Sequence, residues 1–121
     1  MAKRILNHIT LIVNNKEKCA QFYEEAFSLK RTDRLTEEIC PYGGIWYDLT
    51  SEIQLHIWQR DNVQKKSEQH FALIIDDFDD LVKKVEQYGG QVEDTKLLPG
   101  CKSRAYIYDP EGNRLEVMEL L

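Results

Sequence analysis

Three residues of this sequence, two histidines and a glutamate, have side chains suited to holding a metal ion. His8 lies in the apolar stretch LNHITLIV, His70 in QHFALIIDD and Glu116 in NRLEVMEL. Two imidazoles and one carboxylate that converge suit Zn, Mn, Fe or Ni, and an ion held in this way polarises substrate oxygen atoms as a Lewis acid. A lone histidine in an apolar strand is more often a hydrogen-bonded core residue. The metal interpretation therefore depends on whether the fold brings these residues together.

One offset of 62 residues relates the two halves of the chain. LNHITLIVNN resembles EQHFALIIDD, which aligns His8 with His70. The apolar positions of the helix-like segment that follows align at the same offset. EIQLHIWQ and NRLEVMEL align in nearly the same frame, in which Gln54 falls on Glu116. Because four segments agree on one offset, we infer an internal duplication.

Each half is predicted to form a strand, a helix and three further strands. The expected elements span residues 4–13, 16–28, 30–36, 44–50 and 52–59, and then 69–76, 78–88, 91–97, 103–109 and 113–120. The polar segment between the two halves is the expected linker. We therefore predict an α+β fold in which 1–121 is one domain, with module one at 1–59, a linker at 60–68 and module two at 69–121.

Alternation along the predicted strands places the polar candidates on one face of each sheet. The opposite faces are more apolar and should pack under the helices. The side chains expected on the face away from the helices are His8, Gln54, His56, His70 and Glu116. In this arrangement the histidines line a cavity and are not part of the core.

Composition excludes several classes of protein. The net charge of −5 argues against a nucleic-acid-binding protein, which would normally have a basic face. No apolar run approaches the roughly 20 residues of a membrane span, and we expect no signal peptide. The three cysteines are odd in number and show no C-x-x-C spacing, so we expect reduced thiols in a cytoplasmic protein.

With these segments identified, the sequence resembles the vicinal oxygen chelate superfamily. This superfamily includes glyoxalase I, fosfomycin-resistance proteins, bleomycin-resistance proteins and extradiol dioxygenases. The matching pieces are LNHITLIV, KCAQFYEEAFSLK, QHFALIIDD and YIYDPEGNRLEVMEL. The last contains a D-P-[DE]-G-N-x-[IL]-E run that ends in the family's metal-binding glutamate, here Glu116. The resemblance covers essentially the whole chain. It implies that the two βαβββ modules form a half-open barrel around a central cavity.

The resemblance also implies one divalent metal ion (Zn, Ni, Mn or Fe) held by His8, His70 and Glu116. Gln54 stands where glyoxalase I usually has a fourth ligand, a glutamate. A glutamine can ligate through its carbonyl oxygen but cannot act as a base, so Glu116 would be the sole carboxylate base. Fosfomycin-resistance proteins resemble this chain in their ligand set and in a threonine at the position of Thr10.

Further polar and aromatic residues are candidates for the cavity. His56 could replace Gln54 as a ligand, act as an acid or base, or line the pocket. Arg104 could bind a carboxylate or phosphonate in a two-pronged contact, or be a surface arginine paired with an acid. The aromatic residues could be cavity walls or core residues. The candidate catalytic residues are Glu116 and His56, and the candidate substrate-binding residues are Thr10, Trp46, Trp58, Arg104 and Tyr106.

Three functions are open at this point. The first is a metal-dependent lyase, isomerase or thiol transferase acting on a small oxygenated molecule. The second is a metal-free protein of the bleomycin-resistance kind that binds a drug or metabolite, and the third is a ring-cleaving dioxygenase with Fe(II) or Mn(II). The resemblance also implies a homodimer whose metal sites are shared, with His8 and Gln54 from one chain and His70 and Glu116 from the other, or with a similar division of the ligands.

Overall fold

The computed structural model describes residues 3–32, 44–61, 63 and 67–121. In chain order the elements are β1 (His8–Val13), α1 (Lys16–Glu25), β2 (Ile45–Asp48), β3 (Gln54–Gln59), β4 (His70–Ile74), α2 (Phe78–Gln87), β5 (Gln91–Asp94), β6 (Cys101–Tyr108) and β7 (Arg114–Leu120). The predicted α+β class is confirmed. No helix in the described ranges is long and apolar enough to cross a membrane.

The strands form two sheets of similar topology. The first has the order β1-β3-β2 and the second the order β4-β7-β6-β5. In each sheet the first strand of the module lies at an edge and runs parallel to its neighbour, while the other pairs are antiparallel. The strand expected at 30–36 lies partly outside the described residues. Within them, Arg31 forms a single bridge with Tyr47.

The register of the strands corrects one part of the sequence alignment. The offset of 62 residues relates β1 to β4 and α1 to α2, but it shortens to 60 in the later strands. Thr10 pairs with His56, and Ala72, the equivalent of Thr10, pairs with Glu116. The position equivalent to Glu116 is therefore His56 and not Gln54.

One hydrophobic core joins the two modules. Each helix packs on the apolar face of its own sheet, as predicted from the alternation of the strands. The fully buried side chains of this core include Val13, Phe22, Tyr23, Leu55, Ile57, Val85, Ile107, Leu115 and Val117. The opposite faces of the sheets are left to carry the polar candidates.

The turn between β6 and β7 fixes the second module to the first helix. Its carboxylate Glu111 accepts hydrogen bonds from the backbone N–H groups of Asn14 and Asn15, at 2.6 and 2.8 Å. Asp109, from the same turn, accepts a hydrogen bond of 2.8 Å from the hydroxyl of buried Tyr23. A negative charge is favourable at a helix N-terminus, so these contacts hold the modules in one orientation.

Candidate metal centre

His70 and Glu116 form the candidate ligand pair of the second module. His70 begins β4, Glu116 lies on the neighbouring β7, and His70 Nε2 is 3.2 Å from Glu116 Oε1. His70 Nδ1 lies 2.9 Å from the backbone oxygen of Glu68. A carbonyl only accepts, so Nδ1 carries the proton and Nε2 is the atom that faces the carboxylate. Nε2 and Oε1 then face the same point, where both could ligate a cation. A metal ligand oriented by a backbone carbonyl has this same arrangement.

Arg104 occupies the other oxygen of Glu116. Its Nε donates to Glu116 Oε2 at 2.5 Å, and its Nη1 donates to Thr95 Oγ1 at 3.1 Å and to the backbone oxygen of Lys96 at 2.7 Å. Its Nη2 donates to the hydroxyl of Tyr106 at 3.2 Å. The guanidinium is therefore engaged by its own module on every nitrogen.

These contacts keep Glu116 ionised. The residue is only 8% exposed, and burial acts to raise the pKa of Glu116. Hydrogen bonds and charges from Arg104 and His70 act in the other direction and prevail, so the pKa of Glu116 lies below its usual value. An anionic Glu116 is the form that could ligate a cation.

The first module carries a second group of candidates around His8. His8 is exposed, and its ring meets Trp46 edge-on at a centroid distance of 5.0 Å. Its Nδ1 lies 2.7 Å from Asn7 Oδ1. Gln54 is the direct strand partner of His8, and the ring of His56 lies 6.4 Å from that of His8. The structure thus places Gln54 and His56 beside His8.

His56 is held inside an aromatic stack. The ring of Trp46 lies parallel to that of His56, with a centroid distance of 3.9 Å. Trp58 lies two residues further along β3, and its ring centroid is 6.3 Å from that of His56. Thr10 Oγ1 is 3.5 Å from His56 Nδ1. A methyl group added at Gly44 would lie 2.6 Å from His56 Nε2. Because both ring nitrogens face neighbouring groups, this geometry favours the pocket-lining role among the three considered.

The two groups of candidates stay separate within one chain. In the residues that the structure describes, no three His, Cys, Asp or Glu side chains lie close enough together to hold a metal ion. His70 and Glu116 come together, and His8 lies beside Gln54 and His56. The fold of a single chain does not bring His8 to His70 and Glu116.

A cleft of about 850 Å³ lies between the edge strand β1 and the beginnings of β4 and β7. Thr10 and His70 line it, so it reaches the histidine of the second-module pair, whereas Glu116 is not among its lining residues. Two arginines also line it, Arg60 and Arg114. Sequence reasoning gave these arginines no role. The available signal was the position of Arg114, two residues before Glu116 on the same face of a strand.

Comparisons with known proteins agree with this architecture. Residues 5–117 match the family model described as Glyoxalase/Bleomycin resistance protein/Dioxygenase superfamily. The chain is 25% identical over 122 residues to the fosfomycin resistance protein FosX of Listeria innocua, covering 93% of this chain and 86% of the relative.

Solved structures share the fold over the full chain. A glyoxalase family protein from Bacillus anthracis superposes with a TM-score of 0.81 at 26% identity, with all of both chains covered. A FosX variant from Listeria monocytogenes, in complex with Mn(II) and 1S,2S-dihydroxypropylphosphonic acid, superposes with a TM-score of 0.78 at 18% identity, covering 100% of this chain and 95% of that one. The protein described here is thus a member of the glyoxalase/bleomycin resistance protein/dioxygenase superfamily.

Proposed function

We propose that this protein is a metal-dependent enzyme of the glyoxalase and fosfomycin-resistance type that acts on a small oxygenated molecule. The observation that carries the proposal is the pairing of His70 Nε2 with Glu116 Oε1 at 3.2 Å, with His70 Nδ1 held by a backbone carbonyl. This pairing presents one nitrogen and one anionic oxygen to the same point. A divalent ion such as Zn, Ni, Mn or Fe accepts such donors.

The proposed metal site is shared between two copies of the chain. One copy contributes His8 and Gln54, and the other contributes His70 and Glu116. In support, each module offers only part of a ligand set, and β1 and β4 lie at sheet edges where Ile12 and Ile74 are exposed. Edge strands with exposed apolar side chains are favourable surfaces for association. A homodimer would place the two parts of each site together.

The metal would polarise a pair of substrate oxygen atoms as a Lewis acid. The protein's own residues then have distinct tasks. Arg104 orients the carboxylate of Glu116 by its hydrogen bond to Oε2, which leaves Oε1 directed to the point that His70 Nε2 also faces. Thr10 can donate a hydrogen bond to a substrate oxygen from the wall of the cleft. Trp46 and His56 form a stacked wall that excludes water.

Metal content measured by mass spectrometry tests this proposal. We expect close to one metal ion per chain in the purified protein, and its loss in both His70→Ala and Glu116→Ala. Glu119→Ala is the matched control, because Glu119 lies on the same strand but contacts Lys102 instead of the candidate pair. An absence of metal after incubation with Zn, Mn, Ni and Fe salts would contradict the proposal.

A second candidate is a metal-free protein that binds a small molecule. One observation favours it. The positive charge of Arg104 already balances the negative charge of the Glu116 carboxylate that would otherwise ligate a metal. Metal content separates the two candidates, since the binding protein would hold its ligand without any bound metal.

A further inference from the structure

We propose that Arg114 is an anion-binding residue, and that the cleft beside it takes a small organic acid bearing one carboxylate on an apolar body. The inference rests on the proposed function, because it names the class of molecule on which the metal site would act. Binding of the acid itself requires no metal, so it can be measured separately.

Arg114 has binding capacity that its own chain does not use. Its Nε is buried and has no hydrogen-bond partner, and it is the one such side-chain atom among the residues described. No carboxylate in the described part of the chain lies within ion-pair distance of its guanidinium. A buried donor without an acceptor is unfavourable, so an acceptor supplied by a ligand would relieve a cost already present in the fold.

The packing of Arg114 engages the face of its guanidinium and not its edge. Its guanidinium lies 3.6 Å from the ring centre of Tyr106. Such stacking engages the flat face of the guanidinium, while its N–H groups point outward in the plane. Arg104, which flanks the same tyrosine, already donates to Glu116 and to three other acceptors. Of these two arginines, Arg114 is therefore the one that can bind an external anion.

The cleft supplies an apolar wall next to this charge. Leu6, Ile9 and Phe71 line it together with Arg114 and His70. Its volume of about 850 Å³ is ample for a small organic molecule and far larger than one inorganic ion requires. A ligand held by Arg114 would therefore lie beside His70.

The charges of the cleft favour a monoanion. Among the lining residues that the structure describes, the charged ones are Arg60, Arg114 and Asp61, besides His70. Arg60 lies over the ring of Trp58 at 4.8 Å. Within this described lining there is an excess of one positive charge, which matches one carboxylate, whose two oxygens fit the fork of a guanidinium.

The test follows the Arg114 Nε–H signal by nuclear magnetic resonance in metal-free protein. Phenylacetate is the probe, phenylacetamide is its neutral isostere, and phenylphosphonate tests whether a second charge is accepted. We expect saturable binding of phenylacetate with a shift of the Arg114 Nε–H signal, and much weaker binding of the amide. Arg114→Gln should weaken binding at least about tenfold, and Arg114→Lys, which retains the charge but lacks the fork, by less.

Arg31→Gln is the matched control, because Arg31 is an exposed arginine paired with Glu24 and does not line the cleft. It should bind phenylacetate as the native protein does. Equal binding of acid and amide, unchanged binding by Arg114→Gln, or tighter binding of phenylphosphonate would each overturn the proposal. So would an Arg114 Nε–H signal that moves with protein concentration and not with ligand, since a partner subunit would then supply the acceptor. A failure of the metal proposal alone would leave this binding intact.

Discussion

Arg104 and Glu116 form a hydrogen-bonded ion pair of 2.5 Å on the face of the second sheet that the helices leave open. The second oxygen of the same carboxylate faces His70 Nε2. One side of Glu116 is thus used for positioning, and the other is directed to the proposed metal. Of the two roles that the sequence left open for Arg104, contact with a substrate anion and pairing with an acid, the structure shows the pairing, although with a buried acid.

Replacing Arg104 by methionine should raise the pKa of Glu116 in metal-free protein. In the native chain this pKa is lowered despite burial, so ionised Glu116 stabilises the fold above its unfolded-state pKa. That stability is lost as the pH falls through the lower, folded-state pKa. Without the guanidinium, the folded-state pKa moves towards the unfolded-state value, so this pH-dependent loss of stability should become smaller. Carbon-13 titration of the Glu116 carboxyl measures the change, Arg31→Gln should leave it unmoved, and an unchanged pKa in Arg104→Met would contradict the positioning role.

A shared site predicts complementation between two inactive variants. His8→Ala and His70→Ala chains, co-expressed with different tags, should form heterodimers in which one of the two sites retains every ligand. We expect one metal ion per purified heterodimer and none in either homodimer. If all ligands of a site came from one chain, the heterodimer would bind no metal. Light scattering of the native protein should give twice the chain mass of 14.3 kDa.

The sequence was informative wherever local pattern decides the outcome. Both helices begin at the predicted residues, and the apolar faces of the strands lie under them because alternation is a property of the chain itself. Register between strands is not local. The alignment of Gln54 with Glu116 was wrong by two residues, since the later strands of the second module shift relative to its first half.

The partner of Arg104 illustrates the same limit within the candidate site. Alternation placed Arg104 and Tyr106 on one face, but which acid lies opposite depends on the pairing of β6 with β7. The pairing of β6 with β7 has a register shift between Cys101 and Ser103, and no repeat or motif in the sequence predicts it. The sequence could not predict the unsatisfied Nε of Arg114 either, because the burial of one atom depends on tertiary packing alone.

The contact between the two modules through Glu111 should contribute measurably to stability. Glu111→Ala removes the acceptor for two backbone N–H groups ahead of α1, and we expect a loss of about 1–3 kcal/mol in the free energy of unfolding. Glu111→Gln should cost less because one acceptor oxygen remains. Urea denaturation measures both, with Glu86→Ala on the exposed face of α2 as the control. A loss no larger than that of the control would show that the contact does not hold the modules.

Substitutions at two glycines with positive φ distinguish the cost of backbone strain from the cost of crowding against His56. Gly44 has a φ of +99° and Gly100 a φ of +87°. An alanine at Gly100 would meet no atom within 4 Å, so Gly100→Ala should cost only about 1–2 kcal/mol of backbone strain. At Gly44 the added carbon would lie 2.6 Å from both His56 Nε2 and the backbone oxygen of Ile57.

Gly44→Ala should therefore cost about 2–4 kcal/mol, since strain and overpacking add. It should also displace the His56 ring from its parallel contact with Trp46, because the new methyl group takes the space against which the ring rests. Tryptophan fluorescence should change in Gly44→Ala and stay native in Gly100→Ala, and urea unfolding gives the two costs. Equal costs for the two variants, with native fluorescence in both, would mean that His56 is not held in place by the close approach of Gly44.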